Sequence, residues 1–233
     1  VIIVGGGHAG CEAALAAART GVSVLHLNLY LDNTALMPCN PSIGGPAKGH
    51  LVREGSALGG EQAEAADASA MLVRWLNTSK GPAVRALRAQ CDLTEYARHY
   101  TMKIETQKNL EVRQETVTDL WIEEGRVRGV RTKFGFDYEA KVVVLATGTY
   151  LGGKVHIGPK SFPSGPLGQT PSVELPASLR AAGLDIRRMR TDTTPRLHAD
   201  TLDLSSLTSQ ASADEPLSFS LWGEGTIHEG YFC

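Results

Sequence analysis

The pattern of apolar and polar positions predicts that the chain opens with a strand, a helix and a second strand. Residues 1–4 form a continuous β-branched apolar run, which is typical of a strand buried on both faces of a parallel sheet. Residues 12–19 are rich in alanine and favour a helix, which Gly21 ends. Residues 22–27 have the composition of another buried strand. Together these elements have the size of one βαβ unit.

The rest of the pattern predicts shorter and more varied elements. Tyr96, Tyr100 and Ile104 recur at helical spacing and predict one apolar helix face. The step from Glu124 to Gly125 favours a hairpin turn. In chain order we expect a loop-rich segment over 33–60, helices over 63–77 and 83–105, short strands over 111–113, 117–123, 126–133 and 136–138, a buried strand over 141–146, and a short helix over 173–182.

Composition and charge narrow the class of protein. The chain has 233 residues, with 23 Lys and Arg against 25 Asp and Glu, and this balance argues against a wholly basic nucleic-acid binder while allowing a local basic patch. A hydrophobic content of 42% argues against wholesale disorder. Four cysteines in a chain of this length do not make a disulfide scaffold, and because they lack a CxxC pair we expect neither a zinc site nor a thioredoxin-type redox couple.

The apolar runs and the two ends of the chain suggest where the protein acts and how much of it the sequence covers. The longest apolar runs, such as residues 142–146, fall far short of the ~20 residues of a membrane helix. We therefore expect a soluble, intracellular enzyme in a reducing compartment. The chain starts inside an apolar run and stops at Cys233 without a polar tail, which suggests a piece of a longer protein.

A glycine-rich turn follows the first predicted strand and opens the first predicted helix. Gly5, Gly7 and Gly10 occupy the three glycine positions of a GxGxxG pattern. Such glycines allow a tight turn, a close approach of backbone to a pyrophosphate, and close helix packing, while the helix N-terminus attracts the anion. The pattern predicts a dinucleotide site, and the alternative is a purely structural turn. The candidate cofactor residues here are Gly5, Gly6, Gly7, His8, Ala9 and Gly10.

A second pattern favours FAD over NAD as the dinucleotide. The meander predicted over 117–138 is followed by a strand that ends in Ala146-Thr147-Gly148. This arrangement resembles the FAD-dependent oxidoreductases with two dinucleotide-binding domains, in which the Ala-Thr-Gly turn passes close to the cofactor, so Thr147 and Gly148 become candidate contacts. The acid that usually ends the second strand is missing, since Asn28 stands near that position.

Four sequence blocks closely resemble the MnmG family of tRNA-modifying flavoproteins, also called GidA. They are MPCNPSIGGPAKGHL at 37–51, NTSKGPAVRALRAQ at 77–90, GTYLGGKVHIG at 148–158 and TPSVEL at 170–175. The resemblance implies a cytoplasmic bacterial enzyme that acts with the GTPase MnmE to add a (carboxymethyl)aminomethyl group to carbon 5 of the wobble uridine of tRNA. It further implies FAD, with NADH as electron donor, methylenetetrahydrofolate and glycine or ammonium as donors, and a homodimer.

The resemblance also carries over individual residues. It implies that Cys39 is catalytic, and that Val117 and Ser172 join the glycine turn in contacting FAD. The alternative for Cys39 is a small buried apolar side chain. Cys11 and Cys91 are expected to be core thiols on helices. Two prolines flank Cys39 and are expected to stiffen its loop. The GGPAKGH stretch that follows offers backbone N–H groups and Lys48, which are expected to favour a thiolate.

A basic segment is the candidate contact for tRNA or phosphate. Residues 74–103 carry six Lys and Arg against two acids in a chain whose net charge is −2. Phosphate contacts by such residues dominate nucleic-acid affinity. The candidates are Lys48, Lys80, Arg85 and Arg88, and the alternative for each is a solvated surface charge.

These patterns predict an α/β fold with two parts. Residues 1–158 are predicted to be the first part of a Rossmann-like FAD-binding domain, a parallel sheet with a β-meander. Residues 159–233, where proline, glycine, serine and threonine become frequent, are predicted to begin an inserted domain for substrate and NADH. Two alternative functions stay open, a generic FAD-dependent oxidoreductase of a small molecule and a non-catalytic FAD-binding assembly module.

Overall fold

A computed structural model describes residues 1–195, 197–226 and 231–232 of the chain. Its α-helices are α1 (His8–Arg19), α2 (Lys48–Ala57), α3 (Gln62–Ser69), α4 (Leu93–Thr106) and α5 (Leu175–Ala181). Its strands are β1 (Ile2–Val4), β2 (Val24–Asn28), β3 (Ser42–Gly44), β4 (Ala70–Leu76), β5 (Ala86–Cys91), β6 (Leu110–Gln114), β7 (Val117–Glu123), β8 (Arg126–Thr132), β9 (Asp137–Glu139), β10 (Val143–Leu145), β11 (Lys154–Ile157), β12 (Lys160–Pro163), β13 (Gln210–Ala211) and β14 (Tyr231–Phe232).

The chain divides into two compact units, and each is built from two separate stretches. The first unit comprises Val1–Pro38 and Tyr100–Arg190, and the second comprises Cys39–His99 and Thr191–Cys233. The boundary that the sequence suggested between residues 158 and 159 is not one of these divisions. The functional assignment of the segments on either side of it stays a prediction.

The first unit is built on a parallel sheet, as predicted. Its strands lie in the order β10-β1-β2-β6, and β1 pairs with both β10 and β2 in parallel. The connection from β1 through α1 to β2 is the predicted βαβ unit. Thr20 caps the end of α1 and Gly21 follows with a φ of 91°, so the predicted helix stop is confirmed.

Apolar side chains cover both faces of this sheet. Ile3 and Val24 pack with Ala14 and Ala18 of α1 on one face. On the other face the buried cluster also draws on the β7-β8-β9 meander and on α5, and its members are Ile2, Val4, Leu27, Val117, Val130, Leu175 and Leu179. The centre of the sheet is therefore buried on both sides, which explains why β1 is a continuous apolar run rather than an alternating one.

The meander forms as predicted. Strands β7, β8 and β9 pair antiparallel, and Glu124 and Gly125 join the first two with positive φ angles of 50° and 73°. Two positive φ angles match the twist of a tight hairpin.

The second unit corrects three sequence predictions. The segment over 33–60 is not simply loop, because it contains β3 and α2. The helix predicted over 63–77 ends at Ser69, and its second half is β4. The helix predicted over 83–105 begins only at Leu93, and the residues before it form β5. Strands β3, β5 and β4 make one antiparallel sheet.

The lengths and the apolar character of the described helices bear on membrane crossing. Within the described ranges, none of them has the combination of length and apolar character that a bilayer crossing requires.

Candidate functional site

The glycine turn of the first unit joins the buried strand β1 to the start of α1. Gly7 is the N-cap of the helix, no side chain caps it, and no acidic residue lies in the first turn. The first N–H groups of a helix have no partner within the helix, and the helix dipole places a partial positive charge there. The turn therefore presents hydrogen-bond donors and positive potential to an anion.

The structure gives a separate physical reason for a glycine at each of four positions in the turn. Gly5 has a φ of +115°, and a Cβ there would overlap the Ala146 carbonyl oxygen. A Cβ on Gly6 would overlap the Asn28 side chain, and one on Gly10 would overlap the Gly5 carbonyl oxygen. Gly7 alone of the four is exposed with open space where a Cβ would lie. The fold itself requires Gly5, Gly6 and Gly10, whereas the open space at Gly7 allows a ligand to approach the backbone.

The predicted Ala-Thr-Gly strand end lies against the glycine turn. The Ala146 N–H donates to the Val4 carbonyl over 2.8 Å, and Thr147 Cα lies close to the Gly5 backbone. Thr147 is half-buried, and Gly148 is exposed with a φ of 51°. Two segments that the sequence predicted separately are thus brought together at the carboxyl ends of β1 and β10.

Two polar side chains of β2 lie beneath the turn. His26 is fully buried, and its Nε2 lies 2.9 Å from the Gly5 carbonyl oxygen. Asn28 is also buried, and its amide nitrogen lies 3.4 Å from Thr34 Oγ1. The sequence pattern drew attention to Asn28 only as a replacement for the usual acid, and His26 was not predicted. The available signal was a polar residue inside a strand that is otherwise apolar.

His8 lies in the turn with a neutral ring. Its ring stands edge-on to the buried ring of Tyr100, with centroids 6.4 Å apart, and the Tyr100 hydroxyl donates to Glu12 Oε1 over 2.5 Å. Burial lowers the pKa of His8 below its ordinary value. At neutral pH the positive potential of the turn therefore comes from backbone N–H groups rather than from this imidazole.

Val117 and Ser172 are brought together as well. Both are buried, and the Ser172 hydroxyl donates to the Val117 carbonyl over 3.4 Å. The Ser172 N–H donates to the Tyr150 carbonyl over 2.9 Å, and the Tyr150 N–H donates to Thr147 at the Ala-Thr-Gly end. The ten candidate cofactor residues thus lie in one unit, around the carboxyl ends of its parallel strands. Crevices at that edge are where open α/β sheets bind dinucleotides.

In the second unit, Cys39 lies in a loop that contacts the segment after residue 190. Its side chain is half-buried, and the thiol donates to the Asp192 carbonyl over 3.6 Å. The neighbouring Asn40 amide donates to Thr194 Oγ1 over 3.4 Å. The sequence did not predict these partners, because more than 150 residues separate them from the loop.

Two of the N–H groups that were expected to favour a thiolate at Cys39 have other partners. The N–H groups of Gly45 and Gly49 donate to the carbonyls of Leu87 and Gly45, over 2.7 and 2.8 Å. They are therefore engaged in backbone bonds rather than offered to sulfur. Lys48 is exposed at the first position of α2.

The other described cysteines are core thiols, as predicted. Cys11 lies in α1 and Cys91 lies at the end of β5 rather than on the predicted helix, and both are buried. Burial raises the pKa of Cys11 to about 12 and that of Cys91 to about 11. Both are therefore protonated and unreactive at neutral pH. Cys233 lies outside the described residues.

The predicted phosphate contacts of the second unit are exposed. Lys80 lies in the turn after β4, and the Arg85 guanidinium stacks 4.4 Å from the centre of the Trp75 ring. Arg88 lies directly opposite Arg74 in the β4–β5 pairing and donates to Ser42 Oγ over 3.1 Å. These side chains are therefore open to solvent, as a contact with phosphate requires.

Comparison with known proteins decides the family. A family model described as glucose inhibited division protein A matches residues 1–233. The chain belongs to the GidA family. This confirms the resemblance that the four sequence blocks indicated.

The relatives are longer proteins. GidA-family members called "tRNA uridine 5-carboxymethylaminomethyl modification enzyme MnmG" are 52% identical over 220 residues in Heliobacterium modesticaldum and 49% identical over 220 residues in Bacillus subtilis. Each match covers 94% of this chain, and the chain spans about a third of the relatives, 34% and 35% of their lengths.

A solved GidA structure has the same fold. GidA of Aquifex aeolicus matches with a TM-score of 0.93 and 40% identity, covering 99% of this chain and 39% of the Aquifex chain. A GidA-related protein of Thermus thermophilus matches with a TM-score of 0.54 and 24% identity over 77% of this chain and 66% of its own. The second likeness concerns the fold alone. The predicted α/β fold class with a parallel sheet is confirmed.

Proposed function

We propose that this chain is the part of a tRNA-modifying flavoenzyme that binds FAD and supplies a reactive thiol, Cys39. The observation that carries the proposal is the name of the relatives, which are about half identical to almost the whole chain. The glycine turn supports it, because its exposed Gly7 and uncapped helix start fit a pyrophosphate.

The chain's own residues would hold FAD in defined ways. The turn from Gly5 to Gly10 would bind the pyrophosphate through backbone N–H groups, with no charge from the neutral His8. Thr147, Gly148, Val117 and Ser172 would contact other parts of the cofactor. A flavin held there and reduced by NADH would supply the electrons for attaching a one-carbon unit to uridine.

Cys39 is proposed as the catalytic residue that acts on the uridine. Cys39 is half-buried, whereas Cys11 and Cys91 are buried, so it is the most exposed of the described cysteines. The contact with the Asp192 carbonyl holds the thiol proton, so a base must remove that proton before the sulfur becomes a nucleophile.

The second unit offers a surface for tRNA. Lys48, Lys80, Arg85 and Arg88 are exposed cations, and Trp75 adds an aromatic face beside Arg85. Their proposed role is to hold phosphates of tRNA, since such contacts position a nucleic acid without reading its sequence.

The wider reaction is proposed from the same family. It includes NADH as electron donor, methylenetetrahydrofolate and glycine or ammonium as donors, the GTPase MnmE as partner, a homodimer, and a cytoplasmic location in bacteria. The product would carry a (carboxymethyl)aminomethyl group at carbon 5 of the wobble uridine.

The test combines a flavin spectrum with a nucleoside assay on the full-length protein. We expect the purified protein to show flavin absorbance. We also expect that tRNA digests from cells that lack the protein contain no modified wobble uridine. Flavin absorbance with unchanged wobble nucleosides would instead indicate an oxidoreductase of a small molecule or an assembly module. Tight NAD binding without flavin would contradict the cofactor assignment.

A further inference from the structure

We propose that His26 is a positioning residue for the cofactor, because its imidazole holds the Gly5 carbonyl on the buried side of the glycine turn and so keeps that oxygen away from the phosphates. The inference rests on the proposed function, since it takes FAD as the ligand. It concerns a residue that lies beneath the turn and belongs to none of the motifs described above.

The geometry places His26 where it can control this carbonyl. Val24, His26 and Asn28 alternate on the face of β2 that packs against α1, and His26 Nε2 lies 2.9 Å from the Gly5 oxygen. Gly10 closes the other side, because a Cβ there would overlap the same oxygen. The Gly5 carbonyl is thus confined between a strand side chain and the first turn of α1.

The protonation of the ring follows from its partner. A carbonyl oxygen can only accept a hydrogen bond, so Nε2 carries the proton. Burial lowers the pKa of His26, which makes the ring neutral and leaves Nδ1 without a proton. Nδ1 is buried and has no hydrogen-bond partner among the described residues. A buried nitrogen without a hydrogen-bond partner costs free energy, and an apolar side chain at this position would avoid that cost. We therefore infer that the Nε2–H bond to Gly5 is what a histidine contributes here.

The turn needs such a restraint because three glycines follow one another. Glycine has the largest backbone freedom of any residue, so the Gly5–Gly6 peptide is the easiest place for a flip. In a trans peptide the C=O and N–H groups point in opposite directions. With the Gly5 oxygen bonded to His26, the Gly6 N–H points away from the buried side. A flipped peptide would instead present its oxygen to the negatively charged pyrophosphate.

The test measures FAD affinity of full-length apoprotein variants. His26→Phe keeps a flat ring without a donor, and we expect it to bind FAD about three- to tenfold more weakly, the loss that one hydrogen bond produces. His26→Gln retains an N–H donor and should restore affinity to within about twofold of the parent. Val24→Ala is the matched control, because it removes packing from the same face of the same strand and should lower the melting temperature with FAD affinity retained.

Two spectroscopic measurements separate positioning from a packing role. The phosphorus NMR signals of bound FAD should shift in His26→Phe and stay in place in Val24→Ala. Nitrogen NMR of the unsubstituted protein should show a neutral His26 ring with its proton on Nε2, a result that does not depend on any variant folding.

The outcomes are distinguishable. A ring protonated on Nδ1, or His26→Phe with unchanged FAD affinity and unchanged phosphorus signals, overturns the role of His26 and leaves the proposed cofactor standing. An unsubstituted protein that binds no FAD overturns the proposed cofactor and this inference together.

Discussion

At the scale of single residues, the glycines of the turn separate what the fold needs from what a ligand needs. Gly5 and Gly10 are fixed by contacts within the protein, since a side chain at either position would overlap a carbonyl oxygen. Gly7 has ordinary extended angles, with φ −77° and ψ −178°, and no protein atom near the position of a Cβ. A side chain at Gly7 would therefore meet no protein atom and would interfere only with a group bound at the turn.

The first prediction uses this contrast. Gly7→Val should melt at a temperature close to that of the parent apoprotein but should lose bound flavin, because its side chain fills the space through which the backbone approaches a pyrophosphate. Gly10→Ala should instead destabilise the apoprotein itself. Flavin content and apoprotein melting are the two measurements. Normal flavin content in Gly7→Val would remove the turn from the cofactor site.

The second prediction concerns Cys39. Cys39→Ser should retain flavin and melt near the parent temperature, because the side chain is small and a hydroxyl can keep the bond to the Asp192 carbonyl. It should abolish wobble-uridine modification, since a neutral hydroxyl does not replace a thiolate. Full activity would refute a chemical role, and lost flavin would make the residue structural.

Thiol alkylation provides the control for that experiment. In the native protein at mildly alkaline pH, iodoacetamide should modify Cys39 and spare Cys11 and Cys91, because burial keeps those two thiols protonated. Unfolding should expose all three. Peptide mapping that finds native Cys11 or Cys91 labelled before Cys39 would contradict the accessibility on which the catalytic role depends.

At the scale of elements, the sequence predicted well where a pattern was local. The β1–α1–β2 unit and the meander each combine an apolar run with a glycine at the turn. Strand β5 was predicted as helix because alanine, leucine and arginine favour helices, yet its pairing with β3 and β4 overrides that preference. The run from Ala70 to Leu76 is apolar without a clear period, so its strand state depends on the same partners.

The contacts of helix α3 in the second unit could not be predicted from the local sequence either. The Asp67 carboxylate of α3 accepts hydrogen bonds from the Ser218 hydroxyl, the Phe219 N–H and the Ser220 N–H, over 2.6, 2.8 and 2.9 Å. Phe219 is fully buried beside Gly44. We call the hydrogen bonds from residues 218–220 to Asp67 the clasp. No sequence pattern links residues about 150 positions apart, so neither the clasp nor the buried Phe219 ring could be predicted.

The third prediction tests this clasp. Asp67→Ala should destabilise the protein by about 2–4 kcal/mol, because it leaves two N–H groups without their charged acceptor. Hydrogen exchange should accelerate at Phe219 and Ser220. Asp214→Ala, which removes an exposed carboxylate from the same unit, should change stability by less than about 0.5 kcal/mol. Equal effects of the two substitutions would show that the clasp contributes nothing specific.

The fourth prediction concerns the exposed cations around β4 and β5. Lys80→Ala combined with Arg85→Ala should weaken tRNA binding and flatten its salt dependence, because each lost phosphate contact reduces the slope by about 0.7–0.9. Stability should fall by only about 0.5–1 kcal/mol, the contribution of the Arg85–Trp75 stack.

The matched control for that pair removes the same charge elsewhere. Arg126→Ala with Lys141→Ala takes two exposed cations from the first unit and should leave the salt slope nearly unchanged. A large fall in melting temperature with intact tRNA affinity in the Lys80 and Arg85 variant would assign those residues to the fold.

At the scale of the whole molecule, the candidate residues fall into two groups with different chemistry. The cofactor candidates all lie in the first unit, and Cys39 with the four phosphate candidates lies in the second. Each unit draws on two stretches of chain, so neither group corresponds to one continuous half of the sequence. The division predicted near residue 158 concerns function, and it stays a prediction.

The fifth prediction follows from this division. A ligand that binds only the native protein stabilises it by mass action, by about 2.7 kcal/mol when its concentration is a hundred times its Kd. FAD should therefore raise the melting temperature of the full-length apoprotein. Hydrogen exchange should slow most in the turn from Gly5 to Gly10 and around Thr147 and Gly148, whose backbone lies at the proposed pyrophosphate site. The clasp around Phe219 in the second unit should keep its exchange rate. If FAD slowed exchange at the clasp and not at the glycine turn, the cofactor would bind elsewhere. If FAD slowed exchange equally throughout, exchange would require global unfolding, and the stabilisation by FAD would be shared by both units.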